Sequence, residues 1–317
     1  MTRHVTMAAK VEEYLTFRRG LGFRLKVEGG MLRQFAMFAD GTRHRGPLTT
    51  ELALRWATAT TSTDRLYGAR RLEVVRCFAR HLAATEPGTE IPPRGLLGRA
   101  HRRTTPHIYT DDEVARLMVA ARQLNPPGGL RSHTYCTLIG LLAAAGLRIS
   151  EAMHMDREDV DLDQGRLIIR QTKFRKTRLV PLHATTTVAL RAYAEVRDQA
   201  ILNPMCDRFF VNRRGTPLTI STVDQTFRKL CDQVVVSRSD RRPRLHDLRH
   251  TFACRRVETW YDAGIDLATA VAALSVYLGH GKVTDTYWYL TATPDLLARA
   301  AARFEGFAPS VDGEVKP

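Results

Sequence analysis

Apolar residues in the first part of the chain recur every three or four positions, the spacing that places them on one face of a helix. This pattern predicts helices over residues 6–39 with a break at 20–22, from residue 49 or 50 to residue 57, and over residues 62–84. Thr49 and Thr50 are both candidate helix caps. None of these segments has a residue pattern typical of catalysis. Residues 1–95 are therefore predicted to form a small, all-helical domain.

Glycine and proline residues interrupt the helical pattern after residue 84 and mark a domain boundary. Residues 96–108, which follow, are basic and polar and are predicted to form a linker. This composition fits an extended segment that lies along a phosphate backbone. It fits a plain solvated linker equally well.

Residues 109–292 combine the helical pattern with two short apolar runs that are typical of strands. Helices are predicted over residues 110–123, 132–145, 185–202, 221–236, 246–261 and 267–278, and strands over residues 166–170 and 178–182. Gly146 is placed to end the second helix, Ser150 is a plausible cap for the segment after it, and residues 161–165 form a turn. The predicted fold class is mainly α, with an N-terminal helical domain and a C-terminal mixed α+β domain that is mostly helical with a small antiparallel sheet. Residues 293–317 are predicted to form a C-terminal tail.

Charge and cysteine content narrow the class of protein. The chain of 317 residues has 48 lysines and arginines against 33 aspartates and glutamates, and the net charge of +15 favours a polyanionic partner such as DNA. A GC-rich coding sequence would also raise the arginine content without any DNA binding. The five cysteines are scattered and form no CxxC pair, which argues against a zinc site and against a disulfide framework.

The hydropathy of the chain argues against a membrane protein. No apolar signal core follows the first residue, and the longest apolar run, residues 138–147, is about half of what a bilayer span needs. A soluble, cytoplasmic protein is therefore expected.

Two polar positions downstream suit an anionic phosphodiester. His246 and Arg249 are three residues apart at the start of a predicted helix, on one face, where the arginine would bind one phosphate oxygen. The histidine would hydrogen-bond another oxygen or accept a proton. An ordinary pair of residues at a helix end is the alternative interpretation. His250 is predicted to point elsewhere and to be structural.

A histidine and a tyrosine follow at the end of this region. His280 comes directly after a helix-ending glycine, and Tyr289 offers a phenol that can act as a nucleophile once it is positioned and deprotonated. A helix-end histidine and a buried aromatic cluster are the ordinary alternatives. Tyr287 is a second candidate, and residues two apart on a helix project about 200° apart, so the two tyrosines cannot both face one phosphate.

Upstream cations complete the set. Arg148 follows an apolar helix, and a guanidinium gives a phosphate two parallel hydrogen bonds, although a surface pair with Glu151 is the plainer interpretation. Lys173 and Lys176 lie in the basic turn between the two predicted strands. An ammonium there can protonate a leaving oxygen, contact DNA or simply face solvent.

In the order Arg, Lys, His-x-x-Arg, His, Tyr, these residues resemble the tyrosine recombinase (phage integrase) family. The similarity is carried by Ala145-Gly146-Leu147-Arg148-Ile149-Ser150-Glu151, by Arg178-Leu179-Val180-Pro181-Leu182, by His246 to Ala253, and by Leu278-Gly279-His280 through Tyr289. The first domain is similar to the helical core-binding domain of that family in size, position and composition.

The resemblance implies a site-specific recombinase that cleaves and rejoins DNA through a 3′-phosphotyrosine, without metal or cofactor. It implies the catalytic set Arg148, Lys173, His246, Arg249, His280 and Tyr289, with Tyr289 as nucleophile and Lys173 as general acid. Thr172 and Phe174 replace the glycines usual around that lysine, so Lys176 stays an alternative to Lys173.

The family resemblance also implies partners. A homotetramer on two double-stranded DNA sites is expected, with other recombinases or accessory proteins as further partners and a nucleoid-associated location. Apolar residues of the tail are expected to pack on a neighbouring protomer. Integration, excision or transposition of mobile DNA is the expected role. A chromosome or plasmid dimer resolvase, a type IB topoisomerase-like enzyme and a non-catalytic DNA-binding accessory protein are the alternatives.

Overall fold

A computed structural model of the chain describes residues 5–64, 66–100, 105–170, 177–234 and 242–291. The chain divides into two compact units, one up to Thr104 and one from Thr105 onward. The mainly helical fold class with a small antiparallel sheet is confirmed, since the described residues form twelve α-helices and one three-stranded sheet. The predicted tail and the basic turn with Lys173 and Lys176 lie outside the described residues.

Within its described residues, the first unit has four helices: α1 (Met7–Gly20), α2 (Lys26–Gly41), α3 (Thr50–Thr58) and α4 (Tyr67–Leu82). Their apolar faces meet in one core, in which Phe35, Trp56 and Phe78 are among the largest fully buried side chains. Thr49 is the cap of α3, because its hydroxyl accepts a hydrogen bond from the amide of Leu52 at 3.2 Å.

The fourth helix begins at Tyr67, whereas the periodicity predicted a start at Ser62. Upstream of it, side-chain oxygens accept hydrogen bonds from nearby amides. Ser62 accepts from Asp64 at 3.2 Å, and Asp64 accepts from Leu66 at 2.9 Å. Such local bonds satisfy backbone donors outside a helix, and they therefore delay the helix start.

The second unit contains the remaining elements. They are α5 (Asp111–Arg122), α6 (Leu130–Ala145), α7 (Ile149–His154), β1 (Val160–Asp161), β2 (Arg166–Ile169), β3 (Arg178–Pro181), α8 (Ala184–Ala200), α9 (Ile220–Val234), α10 (Leu245–Asp262), α11 (Leu267–Leu278) and α12 (Thr284–Thr291). The strands pair antiparallel in the order β1-β2-β3. The sequence pattern missed β1, because two residues are too few to show an alternation, and Asp161 belongs to this strand and not to the predicted turn.

Two apolar clusters support the second unit. The larger one surrounds α6, whose residues Leu138 and Leu142 are almost fully buried. The smaller one joins α10, α11 and α12 through Phe252, Leu278 and Tyr289. The contacts that hold these three helices together therefore also set the position of Tyr289. Among the helices that the structure describes, none combines the length and the apolarity needed to span a membrane.

Candidate active site

A left-handed glycine forms the corner that carries Arg148. Gly146 ends α6 with φ +60°, a backbone conformation that suits glycine. Arg148 follows in an extended conformation and is the cap residue of α7, so the prediction of Ser150 as cap is wrong. The carboxylate of Glu151 accepts the hydrogen bond from the Arg148 amide at 3.0 Å. An acid in the first turn thus satisfies the amide of the cap residue itself, whereas an N-cap hydroxyl accepts from an amide two or three residues later.

Glu151 joins two arginines. Nη1 of Arg148 donates to its carboxylate at 2.8 Å, and the guanidinium of Arg178 donates to both carboxylate oxygens at 3.1 and 2.8 Å. Burial alone would raise the pKa of Glu151, but the ion pairs with Arg178 and then Arg148 outweigh it and lower the pKa to about 2. The pairing of Arg148 with Glu151 is thus present, while 30% of the Arg148 side chain stays exposed and accessible to a ligand.

The C-terminal end of α11 gathers the arginines of the site. Arg178 donates to the carbonyl of Tyr277 at 2.8 Å, Arg249 to that of Leu278 at 2.7 Å, and Arg148 to that of Gly279 at 3.2 Å. The last carbonyls of a helix have no partner within the helix, and they carry partial negative charge. They therefore fix three guanidiniums that come from three different elements.

Arg249 is the most deeply buried of these cations, with 1% of its surface exposed. Its second anchor is the carbonyl of Gly146, which accepts from Nη1 at 2.9 Å. Burial and then the neighbouring charge of Arg148 lower the pKa of Arg249 to about 10, so the group remains positive at neutral pH. A fixed, water-poor cation of this kind stabilises a developing negative charge at small reorganisation cost.

The two candidate tyrosines point to opposite sides of α12. Tyr289 is 3% exposed, and its hydroxyl lies 3.5 Å from Nε2 of His280. Tyr287 is 50% exposed. Burial raises the pKa of Tyr289, and the nearby Arg249 acts in the opposite direction by favouring the phenolate. The structure therefore places Tyr289, and not Tyr287, among the cations.

Three histidines and Tyr289 form a chain of ring contacts, in the order His246, His250, Tyr289, His280. The ring of His250 packs edge-on against His246, with ring centres 4.9 Å apart, and against Tyr289, with centres 5.3 Å apart. The prediction that His250 points elsewhere is wrong, because a spacing of four also returns to the helix face that carries His246. Loss of solvent around each ring, followed by the charge of Arg249 for His246 and His280 and by His246 for His250, lowers all three pKa values to about 4.

These histidines predict how stability depends on pH. Their folded pKa values lie below the ordinary value of 6.5, so the unfolded chain binds protons more readily than the folded one. Their contribution is complete above pH 6.5 and is lost as the pH falls toward 4, whereas that of Glu151 is lost only below about 4.5. We expect the urea midpoint of the second unit, followed by circular dichroism, to fall between pH 6.5 and 4. A constant midpoint over this range would contradict the assignment.

The remaining predicted residue, Lys173, lies outside the described residues, as does Lys176. The strands on either side end at the pair Ile169 and Arg178, from which the connection with both lysines begins. Across the described ranges, no three histidine, cysteine, aspartate or glutamate side chains are grouped as metal ligands would be.

Two residues of this site were not predicted from the sequence. Arg178 holds Glu151, and Thr286 accepts or donates a hydrogen bond at Nδ1 of His280, 2.7 Å away. A signal for Arg178 existed in the cation-rich turn before the strand. The sequence carries no comparable signal for Thr286, since a single threonine in a helix does not by itself indicate a functional contact.

Comparison with known proteins gives a consistent result. The family model described as "Phage integrase family" matches residues 107–295. The chain is 41% identical to the putative integrase/recombinase y4rB of Sinorhizobium fredii, over 95% of this chain and 97% of that protein. It is 30% identical to the tyrosine recombinase XerC of Chlamydia trachomatis, over 69% of this chain and 65% of that protein. Its fold is similar to that of the Tn1549 transposon integrase in complex with transposon right end DNA, with a TM-score of 0.67, 16% identity and coverage of 95% and 100%.

Proposed function

The chain belongs to the phage integrase family of tyrosine recombinases, enzymes that exchange DNA strands, and from this premise we propose that it cleaves and rejoins specific DNA sites through a 3′-phosphotyrosyl bond. One observation carries the proposal. The buried hydroxyl of Tyr289 lies against His280, at the place where Arg148 and Arg249 are fixed.

In the proposed reaction, Oη of Tyr289 attacks the phosphorus. The P–O bond to tyrosine forms and the P–O5′ bond breaks. The phenol proton passes to a neutral histidine, and Lys173 protonates the leaving 5′ oxygen. Attack by the 5′ hydroxyl of a second strand reverses these steps. Because the phosphotyrosine conserves the energy of the phosphodiester, the reaction needs no ATP.

The arginines stabilise the charge of the five-coordinate phosphate in this scheme. Arg148 and Arg249 are already fixed by carbonyls at the end of α11, so little reorganisation is required when the charge develops. No step uses a metal ion. Lys173 takes the role of general acid in this proposal, with Lys176 as the alternative.

We assign the role to mobile DNA, in integration, excision or transposition. The relative with 41% identity is described as a putative integrase/recombinase, and the fold neighbour is a transposon integrase. A chromosome or plasmid dimer resolvase is the second candidate, favoured by the 30% identity with XerC. The proposed assembly is a homotetramer on two duplex sites, with the first unit as core-binding domain and residues 293–317 on a neighbouring protomer.

A pool of nicked suicide duplexes with random sequence tests the proposal. After cleavage, the short fragment between the cleavage site and the nick, which carries the new 5′ hydroxyl, dissociates. The cleaved strand therefore cannot be rejoined. We expect the wild-type protein to form a denaturant-resistant adduct on its 3′ phosphate with a defined subset of the pool, in EDTA and without ATP. No adduct with any sequence would contradict the enzyme, and an adduct that is lost in EDTA would contradict the metal-free reaction. Relaxation of any supercoiled plasmid would favour a topoisomerase-like activity.

A further inference from the structure

A buried hydroxyl on α12 lies behind the histidine that faces the tyrosine. Oγ1 of Thr286 is 2.7 Å from Nδ1 of His280, and Thr286 is 1% exposed. On the other side of the ring, Nε2 lies 3.5 Å from the hydroxyl of Tyr289. The imidazole therefore sits between one side chain that can fix it and one that reacts.

The direction of the inner hydrogen bond follows from the partners of Thr286. Among the residues that the structure describes, Nδ1 of His280 is the single hydrogen-bond partner of this hydroxyl. A hydroxyl that only accepted would leave its own buried O–H without an acceptor, which costs about 1–3 kcal/mol. The hydroxyl of Thr286 therefore donates to Nδ1. The hydrogen of the neutral imidazole then resides on Nε2.

We propose that Thr286 is a positioning residue that holds His280 in the Nε2–H tautomer and directs that N–H toward the reacting oxygens. The proposal rests on the proposed recombinase function of the site. It concerns the neutral imidazole of His280, because burial and the nearby Arg249, Arg148 and Arg178 lower its pKa to about 4, against the opposite effect of Asp285. Thr286 does not itself touch the DNA.

The tautomer separates the task of His280 from that of the other two histidines. With its hydrogen on Nε2, neutral His280 can donate to a phosphate oxygen or to the phenolate, but it cannot take the proton of Tyr289 at that nitrogen. The proton must then go to another base. His246 and His250, both neutral at pH 7, are the histidines left for that transfer, and the ring of His250 packs against Tyr289 with centres 5.3 Å apart.

Substitutions at two threonines of α12 test the proposal kinetically. Thr286→Val keeps the shape and removes the hydroxyl, so the rate of adduct formation should fall about 10- to 100-fold, as typically found when the partner that orients a functional histidine is lost. Thr286→Ser should restore most of the rate. Thr284→Val, on an exposed position of the same helix, is the matched control and should leave the rate unchanged. DNA affinity should stay the same in all three variants.

Combination with a second substitution distinguishes positioning from a loss of packing. In a His280→Ala background, Thr286→Val should slow adduct formation no further, because its effect passes through the ring. Two independent, multiplying losses would overturn the proposal. So would a Thr286→Val variant that melts like the wild type and reacts at the wild-type rate.

Nitrogen NMR of the DNA-free protein gives a result that does not depend on recombinase activity. At pH 7, the wild-type His280 should show a protonated Nε2 and an unprotonated, hydrogen-bonded Nδ1, and Thr286→Val should shift the Nδ1 signal. A hydrogen on Nδ1 in the wild type would overturn the tautomer assignment. If the wild type forms no DNA adduct but shows these signals, the proposed function fails while the hydrogen bond stands.

Discussion

Tyr289→Phe is expected to abolish adduct formation on suicide duplexes, with a loss of more than about 10,000-fold, as for other essential nucleophiles. The substitution removes one oxygen and keeps the ring, which packs in the cluster between α10 and α12. DNA affinity and thermal stability should therefore remain close to those of the wild type. Loss of the adduct with unchanged DNA affinity and thermal stability would show that the nucleophile is missing, because unfolding would lower all three.

Tyr287→Phe is the matched control. This substitution makes the same chemical change two residues away, on a side chain that is 50% exposed. The adduct should form at nearly the wild-type rate. The measurement is the yield of denaturant-resistant complex over time. The opposite outcome, with an adduct lost in Tyr287→Phe and kept in Tyr289→Phe, would mean that α12 rotates before cleavage.

Gly146→Ala is expected to lower the free energy of unfolding of the second unit by about 3 kcal/mol. The backbone at Gly146 has φ +60°, which costs an alanine about 1 kcal/mol. The added Cβ would also lie 2.4 Å from Cδ1 of Phe252, and overpacking of this kind typically costs about 1–3 kcal/mol. The same change moves the carbonyl that binds Arg249, so activity should fall even in molecules that remain folded.

Gly264→Ala separates the cost of the backbone conformation from the cost of the steric contact with Phe252. Gly264 has a similar φ of +69°, but a Cβ there would meet nothing within 4 Å. It should cost only about 1 kcal/mol. Unfolding in urea can be followed by the reaction of thiols, because the buried cysteines Cys136, Cys231 and Cys254 all lie in the second unit. Equal losses in the two variants would show that Phe252 moves aside at little cost.

Much of the helical framework could be predicted from the sequence, because apolar residues recur along long helices at the helical spacing. Helix α11 has the predicted bounds, Leu267–Leu278, since an aspartate caps its start and a glycine ends it. The opposed directions of Tyr287 and Tyr289 follow from helix geometry alone. These features depend on residues that are close together along the chain.

Features that depend on distant partners could not be predicted in this way. Strand β1 exists only because Val160 pairs with Leu167. Arg178 sits in a cation-rich stretch that suits solvent or DNA, and its ion pair with Glu151 requires the folded sheet. Thr286 gains its significance from a histidine that the chain brings back through a turn. In each case the local sequence was compatible with several environments, and tertiary contacts selected one.

The gathering of arginines at the end of α11 has a consequence during protein synthesis. The anchoring contacts join residues 103 positions apart for Gly146 and Arg249, and 131 positions apart for Arg148 and Gly279. A nascent chain that ends before Leu278 already contains Arg148, Arg178 and Arg249, but it lacks the carbonyls of Leu278 and Gly279, which bind Arg249 and Arg148, and it lacks Tyr289. In the proposed function, the ability to cleave DNA therefore arises late in synthesis, because the proposed nucleophile is translated after the arginines that surround it.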